Sequence, residues 1–309
     1  MAKQLKRVKN KKFFNYKKRR GDRTDGWRVH ADDPLFDVIP HVMPMRCDAQ
    51  VFFEEEIEIE AMDKFMRSVR RDSSLGMPQL SRMIILLAAL VRTAARYPKV
   101  NRFVGGRKIY ARNHLCISFN IKRSMHIDAP ETVVKPFFDP DFNLKEVYDA
   151  VMKAAEGTKG TDVEGGAMDK FVGSITAKPW LIRPLVNIFT RMDKKKGTPK
   201  WFHRDLSPFH TSCFVTDIGS LGIGSVYHHI YNFGTTSLFA SMGKIHKKLV
   251  LDDNGDPKNV NAITMRYVAD ERISDGFYMA KTVRYLNHLL AHPEVLLDKP
   301  AEVLEDTLR

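Results

Sequence analysis

The chain has 309 residues with 50 Lys and Arg against 37 Asp and Glu, a formal net charge of +13. Hydrophobic residues at 43% and charged residues at 28% match ordinary globular usage, which excludes a disordered or fibrous chain and allows a sizeable core in one large domain or two small ones. The charge is uneven: residues 1–20 carry ten Lys and Arg and no acidic residue, leaving +3 for the other 289, so nothing indicates a basic nucleic-acid-binding face on the folded body.

Residues 1–20 read as a disordered basic arm and residues 21–39, rich in Gly, Asp and other turn-formers, as a connecting loop into a body spanning 40–309. Between Val51 and Glu60, Ile57 and Ile59 alternate with Glu56, Glu58 and Glu60, the period-2 pattern of a strand near a sheet edge with one acidic face. Helices are predicted over Ala61–Asp72 and Leu80–Tyr97, the second apolar around much of its circumference and therefore buried. Short strands follow at Arg107–Ala111, Leu115–Ile121 and Thr132–Phe138, then a helix over Leu144–Ala155.

The run Trp180–Phe189, followed by Lys194, Lys195 and Lys196, reads as a core or subunit-contact segment interrupted by Pro184, although an apolar run beside lysines also fits a membrane surface. Strands at Ser212–Thr216, Ser237–Met242 and Ala262–Ala269 and a helix over Phe277–His292 complete an α/β body with a mixed sheet. The longest apolar run, Met83–Val91, is nine residues, about half a bilayer span, so the chain is not expected to be transmembrane. The N-terminus lacks the apolar stretch of a secretory signal. Cys47, Cys116 and Cys213 lie far apart without C-x-x-C spacing, which argues against a disulfide framework or a thiolate metal site and suits a cytoplasmic location. His228 and His229 have no ligand set at metal spacing and read as core or interface histidines.

Four stretches carry a family resemblance. Asp270-Glu271-Arg272-Ile273-Ser274-Asp275-Gly276 and the helix after it resemble the H-x-x-x-D-G region of the dihydrolipoyl acyltransferase catalytic domain of 2-oxo acid dehydrogenase complexes and its relative chloramphenicol acetyltransferase. Residues 214–219 (FVTDIG), with Gly222, are similar to that family's F-T-I-S-N-L-G; Tyr97–Asn101 is similar to its P-x-L-N; and residues 132–147 match the strand and helix start that follow its substrate-lining segment. The resemblance implies a two-layer α/β sandwich of chloramphenicol acetyltransferase type, a mixed β-sheet with helices packed on it, over residues 40–309. It also implies coenzyme A or acyl-CoA as thiol substrate, no metal, and a homotrimer with a channel at the subunit boundary.

One departure stands out: Glu271 occupies the place of the family's catalytic histidine, the base that takes the proton from the attacking thiol. A thiol near pKa 8.5 lies about two units from an imidazole but about four from an ordinary carboxylate, a proton transfer uphill by on the order of 5 to 6 kcal/mol unless burial raises the carboxylate. Arg272, next in extended chain, is expected to face away from Glu271. Thr216 stands where the family has the serine hydroxyl that stabilises the tetrahedral oxyanion, and Asp217 replaces the asparagine beside it. Asp275-Gly276 is retained, with Arg46 the candidate for the arginine that pairs structurally with this aspartate.

No lipoyl module or Ala/Pro-rich linker precedes the body, so a self-sufficient dehydrogenase-complex subunit is not expected. Two readings stay open: a CoA-dependent acyltransferase-like protein, weakly active through Glu271 or inactive, and a non-catalytic trimeric scaffold or acyl-CoA-binding protein. In the second, the arm at residues 1–20 binds an acidic partner, RNA or an anionic membrane.

Overall fold

A computed structural model describes residues 6–7, 19–30, 33–122, 131–159, 173, 176–252 and 254–306. In chain order the strands are β1 (Lys6–Arg7), β2 (Gly26–Arg28), β3 (Gln50–Glu58), β4 (Arg102–Gly105), β5 (Lys108–Arg112), β6 (Leu115–Lys122), β7 (Glu131–Val134), β8 (Phe137–Phe138), β9 (Cys213–Asp217), β10 (Leu238–Leu251), β11 (Pro257–Asp270) and β12 (Leu304–Glu305). The longer helices are α1 (Pro34–Val42), α2 (Glu60–Arg71), α3 (Arg82–Arg96), α4 (Leu144–Lys159), α5 (Pro179–Lys195) and α6 (Gly276–Ala291).

The main sheet runs β3-β11-β10-β9-β6-β7, with β8 also on β6. β9 is parallel to both neighbours while the other pairs are antiparallel, so the sheet is mixed, and the acidic-faced β3 is an edge strand as its alternation predicts. Apolar residues of α2, α3, α4 and α6 form one core against this sheet, with Ile85, Leu87, Val215, Met265 and Leu289 fully buried. The helix α3 enters from a Ser81 cap and is buried around most of its circumference, as expected of an apolar 15-residue segment at the centre of the layer. No helix among the described residues is long and apolar enough to cross a membrane.

Several boundaries differ from the sequence reading. The 132–138 strand divides into β7 and β8. β10 and β11 are 14 residues each, because their polar outer halves, rich in Lys, His and Asn, pair with each other in water and so hide the hydrophobic signal of a strand. The 21–39 stretch is not a plain loop: β2 pairs with β5, and α1 begins at an Asp33 cap. Burial of Arg23 and Asp25 explains the order. The Arg23 guanidinium donates to Asp25 at 2.8 and 2.9 Å and to the Asp193 carboxylate at 2.6 Å, and buried charges hold only with a fixed backbone around them. Of the basic arm, Lys6–Arg7 pair with Leu304–Glu305, a departure from the expected disorder in which backbone hydrogen bonding satisfies a chain edge. Most of the rest of residues 1–20 lies outside the described residues.

Beside this cluster His114, His203 and His210 are buried, and burial shifts the first two. His114 is held well below its ordinary pKa by burial and then by the Arg112 guanidinium, and burial also lowers His203. Lys135 donates to the His203 and Ser207 carbonyls at 2.7 Å each, and burial pulls its ammonium down to about 8. Both imidazoles are neutral when folded and titrate near 6.5 once unfolded, so the folded state keeps its full advantage above pH 6.5 and loses it as pH falls toward the lowered folded values. The expected outcome is uptake of protons on unfolding below pH 6.5 and a fall in stability of up to about 1.4 kcal/mol per pH unit per histidine. Thermal melts between about pH 7.5 and pH 5 measure this, and a Tm that does not fall contradicts the neutral burial.

Candidate functional site

The site is built where β11 ends. Asp270, fully buried, accepts from Arg272 Nε and Nη2 at 2.7 Å each, a bidentate pair, and stands 3.4 Å from Arg46 Nε. The two guanidiniums reach outward from this carboxylate to three other parts of the chain. Arg272 Nη1 donates to the Met43 carbonyl at 2.8 Å, and Arg46 donates to the carbonyls of Tyr231, Gly234 and Val104 at 2.8 to 3.0 Å. Burial pulls the Arg46 guanidinium down to about 10, against the opposing pull of Asp270.

This corrects one expectation. The partner of Arg46 is Asp270 and not Asp275. Asp275 instead caps α6, its carboxylate accepting from Tyr278 N at 2.8 Å, with Gly276 as the exposed first residue of the helix. Arg272 is folded onto Asp270, away from the cleft that Glu271 lines, but through a turn of 3-10 helix over Glu271–Ile273 and not by the extended-chain alternation expected of it.

Glu271 opens a single turn of 3-10 helix, Glu271–Ile273. Its half-buried carboxylate lines a cleft of about 640 Å³ bounded by α1, β3 and the start of α6, among them Phe36, Phe52, Glu55, Ser274 and Met279. Glu271 has no hydrogen-bond or ion-pair partner among the described residues, although Arg284 lines the same cleft. Two further residues of the cleft escape sequence reasoning. Ser274 Oγ is buried without a hydrogen-bond partner among the described residues, an orphaned donor beside the carboxylate. Glu55 accepts from Asn287 at 3.0 Å, which orients a second carboxylate toward the same space.

Thr216 and Asp217 lie elsewhere. They end β9, in the row that runs Thr216, Ser241, Arg266 across β10 and β11. Glu271 is five residues beyond Arg266, so two strand spacings and about 16 Å of strand separate it from Thr216, on the order of 19 Å. Within one chain the two cannot act on one bond. Burial pushes the Asp217 carboxyl up, while hydrogen bonds from the Ser220 and Gly219 amides oppose the shift. The turn after β9 requires glycine: a Cβ on Gly219 would stand 2.3 Å from the Gly243 carbonyl oxygen, and Gly222 adopts a positive φ of 79°. His228 and His229 are not core residues. They stack on each other at 4.9 Å in an irregular segment near the surface, with His228 also on Phe239 at 4.1 Å. Among the described residues no group of three or more His, Cys, Asp or Glu side chains is placed to hold a metal ion.

The central role of Asp270 has a direct test. Asp270→Asn leaves two buried guanidiniums without their shared counter-charge and should cost about 3 to 5 kcal/mol of unfolding free energy. Asp275→Ala, which removes a helix cap, should cost only about 1 kcal/mol. Urea unfolding compares the two, and a larger loss in Asp275→Ala would return the structural pairing to that residue.

No family model matches the chain, and no curated protein matches it in sequence. Solved structures do match in fold. The cubic core of the pyruvate dehydrogenase multienzyme complex superposes with a TM-score of 0.52 at 14% identity, covering 85% of this chain and 88% of that one. A probable dihydrolipoamide acetyltransferase from Listeria monocytogenes gives 0.53 at 13% identity, covering 89% and 99%. The dihydrolipoamide acetyltransferase of Azotobacter vinelandii, solved to establish the roles of a serine, a histidine and an asparagine in its mechanism, gives 0.51 at 14% identity, covering 85% and 88%. The layered mixed sheet and its helices thus make up the fold of the dihydrolipoamide acyltransferase catalytic core of 2-oxo acid dehydrogenase complexes.

Proposed function

We propose that the chain is a CoA-dependent acyltransferase-like protein in which Glu271 of one subunit and Thr216 of a neighbouring subunit serve a single site in a homotrimer. The observation that carries this reading is the placement of Glu271: an unpaired carboxylate on an open cleft of about 640 Å³, with the adjacent Arg272 locked away on Asp270. A residue retained only for structure would be expected to find a counter-charge. Two further observations support it. The separation of Glu271 from Thr216 within one chain calls for a second chain to complete the site. In the Azotobacter vinelandii enzyme the histidine and asparagine under study stand four residues apart, the spacing of Glu271 and Asp275 here.

In this mechanism the Glu271 carboxylate takes the proton of the substrate thiol, the thiolate sulfur attacks the thioester carbonyl carbon, and the Thr216 hydroxyl donates to the oxyanion that forms. Collapse of the tetrahedral species expels the other thiolate, which recovers the proton from Glu271. Asp217 follows Thr216 at the end of β9, and burial raises its carboxyl against the opposing hydrogen bonds of the Ser220 and Gly219 amides. Asp275 and Gly276 act indirectly, by capping α6 and so fixing the turn that carries Glu271.

Thiol release from acetyl-CoA and longer acyl-CoAs tests the proposal in wild type, Glu271→Ala and Glu271→His. Slow turnover is expected in wild type, a loss of about 100-fold or more in Glu271→Ala, and a gain in Glu271→His, whose imidazole is closer in pKa to the thiol. Turnover unchanged in Glu271→Ala would remove Glu271 as base. Activity in Glu271→His alone would leave the wild type a non-catalytic acyl-CoA-binding scaffold, and a monomer by light scattering would remove the shared site.

A further inference from the structure

The helix α5 is anchored at one end and bare along much of its length. Near its C-terminus Asp193 is buried against Arg23, and Phe189 stacks on Phe202 with ring centroids 4.0 Å apart. From there the helix leaves the core, contrary to the core reading of this segment, and it continues through Pro184. Trp180 is 74% exposed, Ile188 50%, and Trp201, in the short helix that follows, 52%.

At 3.6 residues per turn, Leu181, Leu185, Ile188 and Met192 fall on one stripe, Ile188 and Met192 exposed and the two leucines half-buried, with Arg191 and Lys195 one row away along its edge. Between residues 178 and 204 there are eight Lys and Arg, every one exposed, and a single acidic residue, Asp193, which is buried and internally paired. The exposed charge of this segment is therefore entirely positive and borders an apolar, tryptophan-bearing surface.

We propose that α5 and the following turn dock on an anionic lipid membrane, lying in the interface with the Leu181–Met192 stripe and the two exposed tryptophans in the acyl boundary and the basic side chains at the phosphate level. The pattern is that of an interfacial helix: aliphatic and aromatic side chains to be covered, lysines and arginines long enough to reach the headgroups, and no span long enough to cross. A two-fold contact with a second copy suits this face less well, because it would bring two wholly basic segments together, and a head-to-tail contact with another copy is the outcome that the self-association arm of the test reads. A polyanion such as RNA would satisfy the charge but leave the apolar stripe in water.

Sedimentation of the full-length protein with vesicles tests this, using phosphatidylcholine alone or with about 30 mol% phosphatidylserine. Binding is expected only to the anionic vesicles, with part of it surviving about 0.5 M NaCl, where charge attraction is screened but apolar insertion is not. Tryptophan emission should shift to the blue on binding, and Trp180→Phe should remove much of the shift, since Trp27 is already buried. Ile188→Glu should lower vesicle binding about tenfold without altering the circular dichroism spectrum. Equal binding by Ile188→Glu, or binding lost entirely in salt with no emission shift, would assign the attraction to basic charge alone and overturn the proposal. Self-association that Ile188→Glu abolishes, without vesicle binding, would overturn it in favour of a second copy.

Discussion

The Asp270 carboxylate, held between two buried arginines, is the interaction on which the candidate site depends. Two guanidiniums share one carboxylate in the interior, an arrangement that is costly to desolvate and stable only because nearly every remaining donor reaches a carbonyl. Those carbonyls belong to the end of α1, to the segment around Tyr231 and Gly234, and to β4, so one charge cluster ties three separate stretches to the end of β11. The turn carrying Glu271 starts at the next residue. Its position is set by a rigid ionic anchor behind it and by the Asp275 cap in front, and the carboxylate between them is left for whatever occupies the cleft.

Under the proposed reading, the Asp275 cap and the Arg272–Asp270 pair hold the turn that presents Glu271 to the cleft, and the strength of the base there is that of a carboxylate. Shared placement of Glu271 and Thr216 between chains also makes oligomerisation part of the chemistry under the proposed reading. Half-buried Phe36 and Ile39 of α1 line the Glu271 cleft with the exposed Phe52, and under that reading burial by a neighbouring subunit would close a site that is open in one chain.

The helix α5 is a separate matter. It takes no part in the Glu271 cleft, and its one buried charge, Asp193, serves as a tether to the Arg23 cluster. Asp193, paired with Arg23 and His210, and the ring of Phe189 against Trp201 and Phe202 hold the C-terminal end of this 17-residue helix against the body while Ile188 and Met192 stay exposed, which separates the work of fixing the helix from the work of its surface.

Much of the architecture was legible in the amino-acid order, because it rests on short-range periodicity. The alternation around Ile57 and Ile59 marks an edge strand, the apolar circumference of the 80–97 segment marks a buried helix, and a further helix is readable over Phe277–His292. What the sequence could not determine is which charges meet. Arg46 lies near in space to residues 104, 231, 234 and 270, and its choice of Asp270 over Asp275 follows from β11 delivering one carboxylate into the interior while the helix start consumes the other. The length of the β10–β11 hairpin, the orphaned hydroxyl of Ser274 and the bareness of α5 are likewise tertiary facts. Each depends on what other parts of the chain do or do not bring alongside, and burial, unlike periodicity, is a property of the assembled fold.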